Sequence, residues 1–216
     1  MTFQAALFDL DGVIFDTEPQ YDRFWERMAA RFRPDAPEMV QKIKGTTLVS
    51  TLDNWFSGPY EKDREELVHC LNAFEAEMEF PYIRGFESFL DVIRRRGIRT
   101  AVVTSSNLPK MEQVYWSHPE FAPRFDAILT SEDFRASKPD PDCYLKAAAR
   151  LGVSPADCIV FEDSRTGIQS GRGAGAFVVG LVTTLPYDTV HALADLTVRD
   201  FHDPALTDLL SLNTPI

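Results

Sequence analysis

The sequence predicts an α/β protein, a doubly wound, Rossmann-like parallel sheet interrupted by an inserted α-helical domain. Three observations predict it. Short apolar runs recur at residues 5–8, 99–103, 126–130, 158–161 and 177–182. Helix-length segments separate the later runs, and strands that alternate with helices build a parallel sheet covered on both faces. Finally, residues 15–83 carry no convincing strand pattern, only helical periodicity, so the alternation is broken directly after the first strand. The division that follows is a core of residues 1–14 and 84–216 and an insert of residues 15–83.

The first strand, Ala5-Ala6-Leu7-Phe8, runs into Asp9, Asp11 and Gly12. Residues two apart in an extended chain point the same way, so both carboxylates can face whatever binds beyond the strand's carboxyl end. Open α/β sheets hold ligands there. Taken alone, Asp-x-Asp-Gly fits a solvated turn equally well.

In the insert, Tyr21, Phe24, Trp25, Met28 and Phe32 recur at three-to-four spacing, and residues 61–79 repeat the pattern with Leu67, Leu71, Phe74 and Met78. This aromatic stripe reads as the packed core of the insert rather than as a ligand box. Gly12 punctuates one crossing between the two parts, and Pro81 and Gly85 the other.

After the insert, Phe86, Phe89, Leu90 and Ile93 form one stripe of a helix from Gly85 to Arg96, stopped by Gly97. Arg94-Arg95-Arg96 suits the negative end of that helix's dipole. Ala101-Val102-Val103 is a strand that ends in Thr104, Ser105, Ser106 and Asn107. Ala127-Ile128-Leu129-Thr130 leads to the proline-stiffened loop Ser137-Lys138-Pro139-Asp140-Pro141, and a helix over 142–151 is stopped by Gly152. The strand Cys158-Ile159-Val160-Phe161 ends in Glu162, Asp163 and Ser164. Gly171-Arg172-Gly173-Ala174-Gly175 looks like a dinucleotide loop but precedes a strand instead of following one, so close helix packing is the better account.

Composition removes several function classes. At 216 residues with 44% hydrophobic content the chain can bury a core. A net charge of −11 argues against a nucleic-acid partner, which needs basic surface to neutralise phosphates. No apolar run reaches the ~18 residues of a membrane span, and the N-terminus lacks a secretory pattern, so a cytoplasmic monomer is expected. The three cysteines, Cys70, Cys143 and Cys158, have no metal or disulfide spacing and are expected to be reduced and buried; the four histidines are scattered without a metal-ligand rhythm.

Asp9-x-Asp11-Gly12-Val13 followed by Asp16-Thr17-Glu18-Pro19, then Thr104-Ser105, Lys138-Pro139-Asp140-Pro141 and Glu162-Asp163-Ser164, in that order, resembles the haloacid dehalogenase-like superfamily over the whole chain. Within it the chain resembles the branch containing β-phosphoglucomutase and small sugar-phosphate phosphatases. The resemblance implies Asp9 as nucleophile and Asp11 as general acid/base. It also implies Thr104, Ser105 and Lys138 as phosphate ligands, and Asp9, the Asp11 carbonyl and Asp163 around Mg²⁺, with Glu162 near the metal. The insert is then a mobile cap, with Thr17, Tyr21, Lys44, Thr46, Thr47 and Trp55 as candidate substrate contacts.

The chemistry agrees with those residue types. A phosphate ester resists attack because its oxygens repel a nucleophile, so a catalyst must neutralise charge and hold the attack in line. Mg²⁺ takes hard oxygen ligands, including one or two carboxylates, and Lys138 adds a full positive charge. The expected activity is an Mg²⁺-dependent phosphatase for a small phosphorylated metabolite. A β-phosphoglucomutase-type phosphotransferase and a non-catalytic phosphate-binding module on the same fold are the alternatives. Members of the mutase subfamily carry a histidine after the Asp-Thr motif and an arginine in a Lys-Gly-x-x-Arg segment; here the corresponding residues are Tyr21 and Leu48. Leucine lacks the bidentate grip of arginine on phosphate, and Lys42, Lys44 and Lys62 are the insert cations that could compensate.

Overall fold

The computed structural model describes residues 3–211, in which six strands form one fully parallel sheet. In chain order the strands and helices begin with β1 (Ala5–Phe8), followed by the helices α1 (Glu18–Phe32), α2 (Met39–Lys42), α3 (Leu48–Trp55) and α4 (Arg64–Glu75). The alternating half follows as α5 (Phe86–Arg95), β2 (Arg99–Val103), α6 (Leu108–Ser117), β3 (Ala127–Leu129), α7 (Asp142–Leu151), β4 (Cys158–Glu162), α8 (Arg165–Gly173) and β5 (Phe177–Leu181). It ends with α9 (Tyr187–Leu193), β6 (Leu196–Val198) and α10 (Pro204–Ser211).

The order across the sheet is β3-β2-β1-β4-β5-β6. The chain winds outward from β1 to β3, crosses back to β4 on the other side of β1 and winds outward again. The carboxyl ends of β1 and β4 therefore flank the switch point where such sheets bind ligands. Register places Phe8 beside Val102 and Phe161, so Asp9 and Glu162 emerge at the same level.

Alternate residues of each strand enter different cores, as a strand buried on both faces requires. Phe8, Val102, Phe161 and Val179 meet α5 and α10 on one face. Leu7, Val103, Val160 and Val178 meet α7 and α8 on the other. The tight approach of α8 explains Gly171, where a Cβ would lie 3.0 Å from the side chains of both Val160 and Val178, whereas a Cβ on Gly175 would meet no neighbour and that glycine serves a left-handed turn with φ 83°. The predicted helix stops also hold, with Gly97 and Gly152 in left-handed backbone.

Helices α1–α4 contain no strand between them and share a separate apolar cluster built on Phe32, Met39, Phe56 and Leu67. Their two connections to the sheet run side by side, where Asp16 N–H donates to the Pro81 carbonyl and Ile83 N–H to that of Ile14, both at 2.8 Å. The aromatic stripe divides. Phe24 stacks on Phe74 with centroids 4.6 Å apart, whereas Tyr21 and Trp25 turn toward a cavity between the helices and the sheet.

Two expectations need correction. The sheet has a sixth strand, β6, whose three residues Leu196-Thr197-Val198 leave no apolar run in the sequence. Cys143 and Cys158 are buried as expected, but Cys70 is half-exposed. Among the described residues no helix is long and apolar enough to cross a membrane.

Candidate active site

Four strand ends converge on one point. The turn after β1 is closed by Gly12 N–H donating to the Phe15 carbonyl at 2.8 Å. Gly12 has φ 72°, and a Cβ there would fall 2.0 Å from Asp163 Oδ2, so both the turn and the close approach of the two acidic strand ends need glycine. Thr104 follows β2, and its N–H donates to the Leu129 carbonyl at 3.0 Å.

Lys138 is the electrostatic centre. It is 2% exposed, and its ammonium donates to Asp9 Oδ1 at 2.6 Å, to Glu162 Oε1 at 2.6 Å and to the Val103 carbonyl at 3.3 Å. Burial alone would lower the lysine's pKa, but the two carboxylates outweigh it and hold the ammonium well above its usual range. Burial raises the Asp9 carboxyl to about 7 despite Lys138, with Glu162 adding to the rise. Asp163, also shut from solvent, is pushed well above the ordinary carboxylate range by burial and by Glu18, Glu162 and Asp9.

Asp9, Glu162 and Asp163 each offer an oxygen within 4.8 Å of the others. Glu162 is committed to protein donors. Oε1 accepts from Lys138 and from the Tyr144 hydroxyl at 2.6 Å, while Oε2 accepts from Asp163 N–H, Ser164 N–H and the Ser164 hydroxyl. Glu162, expected near the metal, thus stands in the same acidic cluster as Asp9 and Asp163, and its carboxylate also anchors Lys138. Asp9 and Asp163 remain as the acidic pair whose mutual repulsion a cation would relieve, and their hard oxygens suit Mg²⁺. Thr184 donates its hydroxyl to Asp163 Oδ2.

Asp11 is held by three donors: Thr17 Oγ1 at 2.5 Å, Ser106 Oγ at 3.0 Å and Lys110 Nζ at 2.5 Å. Thr17, expected as a substrate contact, is fully buried and positions Asp11 instead. The sequence reading missed Lys110. It lies on α6, 2% exposed, with its ammonium 4.5 Å from the centre of the Tyr21 ring. Tyr21 in turn donates its hydroxyl to Glu75 Oε1 at 2.7 Å, so a chain of contacts runs from the sheet into the helical insert.

The cavity above these groups has a volume of about 110 Å³. Asp9, Asp11, Thr104, Ser105 and Asp163 line its floor; Tyr21, Trp25, Lys44, Thr46, Leu48 and Glu75 line its roof. Lys44 is paired with Glu18 at 3.2 Å and Asp22 at 2.6 Å. Three other expected contacts, Thr46, Thr47 and Trp55, have structural partners within the insert. Thr47 caps α3 by accepting from Ser50 N–H, and neither it nor Trp55 is among the lining residues. Thr46 lines the cavity but donates its hydroxyl to the Ile43 carbonyl at 2.6 Å.

A family model described as haloacid dehalogenase-like hydrolase matches residues 6–181. The chain belongs to this family. This haloacid dehalogenase-like chain is 31% identical to hexitol phosphatase A of Escherichia coli (strain K12), over 92% of its own length and 95% of that protein. It is 32% identical to the β-phosphoglucomutase of Bacillus subtilis (strain 168), over 94% and 92% of the two chains. A solved HAD hydrolase, family IA, variant 3, from Entamoeba histolytica shares its fold with a TM-score of 0.80 at 24% identity, covering 98% and 99% of the two chains.

Proposed function

We propose that the protein is an Mg²⁺-dependent phosphatase that hydrolyses a small phosphorylated carbohydrate through an aspartyl-phosphate on Asp9. The observation that carries this reading is the placement of Asp9 against the Lys138 ammonium, 2.6 Å away, at the floor of a cavity edged by Asp11, Thr104 and Asp163. The kinship to hexitol phosphatase A directs it to carbohydrate phosphates. Asp9 and Asp163 would hold Mg²⁺, with the Asp11 carbonyl as a third oxygen. When bound, the ion supplies positive charge that lets the Asp9 carboxylate approach an anionic phosphate.

In the first step an Asp9 oxygen attacks phosphorus, the bond to the sugar oxygen breaks, and Asp11 gives that oxygen its proton. In the second, Asp11 takes a proton from water as the water oxygen attacks phosphorus, releasing inorganic phosphate and restoring Asp9. Lys138, the Thr104 hydroxyl and Ser105 N–H hold the phosphoryl oxygens. Glu162 and Tyr144 keep Lys138 aimed at Asp9, and the helical insert, acting as a cap over residues 15–83, excludes bulk water.

The mutase reading has the Bacillus relative in its favour. Against it stands Leu48, which lines the cavity roof where a second phosphate would need a cation. One experiment separates the readings. The protein is incubated with Mg²⁺, β-glucose 1-phosphate and a trace of glucose 1,6-bisphosphate, and in parallel with hexitol and hexose monophosphates. Release of inorganic phosphate that stops with chelator is expected. Conversion to glucose 6-phosphate without phosphate release would establish the mutase, and neither outcome would leave a binding module.

A further inference from the structure

The roof of the cavity carries charge of the wrong sign for a second phosphate. The insert contributes three carboxyl groups to the lining, Glu18, Asp22 and Glu75, against one ammonium, Lys44. That ammonium is already shared between Glu18 and Asp22. The other cation of the lining, Lys110, is paired with Asp11.

Glu75 adds an independent sign of a ligand. It is 7% exposed, and its Oε1 accepts from Tyr21, but its Oε2 is shut from solvent with no hydrogen-bond partner among the described residues. Glu18 Oε2 is also buried, but the Lys44 ammonium 3.2 Å away, shared with Asp22, already faces it, so the open acceptor is that of Glu75. A buried acceptor left unpaired is costly and is normally satisfied by something. Between these acids the lining is apolar, with Trp25, Leu48 and Leu71. Acceptors alternating with apolar surface match the alternating hydroxyl groups and C–H faces of a polyol chain or sugar ring.

We infer that Glu75, supported by Glu18 and Asp22, reads the leaving alcohol, accepting a hydrogen bond from one of its hydroxyls. The site thereby selects monophosphates of uncharged polyhydroxylated alcohols and rejects substrates with a second anionic group. This rests on the phosphatase reading and adds the class of leaving group and the residue that recognises it. Discrimination has two sources. A hydroxyl satisfies Glu75 Oε2, whereas a carboxylate or second phosphate leaves it unpaired and adds like charge beside three acids.

The test compares kcat/KM of the Mg²⁺-loaded full chain on glucitol 6-phosphate and on 6-phosphogluconate, which differs in bearing a carboxylate, with p-nitrophenyl phosphate as a leaving group without hydroxyls. Wild type is expected to favour the glucitol phosphate by ~10²-fold. Glu75→Leu should lower kcat/KM on glucitol 6-phosphate by ~10-fold or more beyond any loss on p-nitrophenyl phosphate, chiefly through KM. Glu75→Gln, which keeps an acceptor but removes the charge, should recover part of that loss and narrow the gap to 6-phosphogluconate. Equal use of both sugar phosphates by wild type would overturn the inference. So would parallel losses on glucitol and p-nitrophenyl phosphates in both variants, which would make Glu75 a support of the fold. If wild type hydrolysed none of the three, the phosphatase reading itself would fall.

Discussion

At the level of single residues, the chemistry rests on anions held closer together than water would allow. Asp9 has Lys138 as its counter-charge, but Asp163 faces Glu18, Glu162 and Asp9, with a threonine hydroxyl donating to it. A carboxyl whose folded-state pKa lies above its unfolded value binds protons more tightly when folded. Its ionisation therefore lowers stability progressively as pH rises above the unfolded value near 3.8. In chelator at pH 8, Asp163→Asn is expected to melt ~3–6 °C above wild type, an advantage that disappears toward pH 4. Adding Mg²⁺ should reverse the order by stabilising wild type alone, and activity should be lost in the variant. A metal-free variant that melts below wild type at pH 8 would show that the Asp163 charge is already compensated. Asp9→Asn is expected to abolish turnover while keeping the fold, measured as phosphate release beside a melting curve; wild-type kcat would remove Asp9 as nucleophile. Asp9, Asp11, Thr104, Lys138 and Asp163 were legible in the sequence because each stands where an apolar run stops or in a stiffened loop. Lys110, Tyr144 and Glu75 were not. They sit inside ordinary amphipathic helices, and their partners, such as Asp11 for Lys110, lie up to 99 positions away, so only the fold brings them together.

Among the elements, the turn after β1 does most to shape the site. It reverses the chain within a few residues, brings Asp9 and Asp11 to the switch point and leaves room for Asp163 only because Gly12 has no side chain. Gly12→Ala should cost at least about 1–2 kcal/mol for the left-handed backbone alone. Displacement of the Asp163 carboxylate should also raise the Mg²⁺ concentration needed for half-maximal activity by ~10-fold or more. A melting scan and an Mg²⁺ titration check both, and an unchanged titration would separate Gly12 from the metal pair. The five longer or more apolar strands and the long helices were readable because burial on two faces or one stripe writes a period into the sequence. The short edge strand β6 escaped because Leu196-Thr197-Val198 is broken by a polar residue, whereas β3, an edge strand of the same length, reads Ala127-Ile128-Leu129. The insert was readable as helical but its cavity-facing residues were not separable from its core, since Tyr21 and Phe24 share one spacing while one faces the cavity and the other stacks on Phe74.

Across the whole molecule, the insert is held against the sheet by hydrogen bonds to its own backbone. Ser105 Oγ donates to the Gly45 carbonyl at 2.9 Å, Thr166 Oγ1 donates to the Lys44 carbonyl at 2.9 Å, and Thr47 N–H donates to Ser137 Oγ at 3.0 Å. Gly45 makes the approach possible, because a Cβ there would lie 2.4 Å from Ser164 Oγ. With the helices in this position the insert lies over the cavity floor, and on the cap reading proposed above a substrate would enter by parting these contacts, which would reform around it. Ser137 and Thr166 touch the insert without lining the cavity, which makes them suited to testing closure apart from chemistry. Ser137→Ala combined with Thr166→Val removes two of the three bonds, each contributing about 0.5–1.5 kcal/mol to the closed form. The double variant is expected to lose ~5–50-fold in kcat/KM on a sugar phosphate while its Mg²⁺ requirement and melting temperature stay close to wild type. Protease cleavage within residues 33–63 should become faster in the variant and slow again when vanadate or phosphate is added with Mg²⁺. If kcat/KM and cleavage both matched wild type, these hydroxyls would be bystanders and closure would have to be driven by the substrate's contacts with the roof alone.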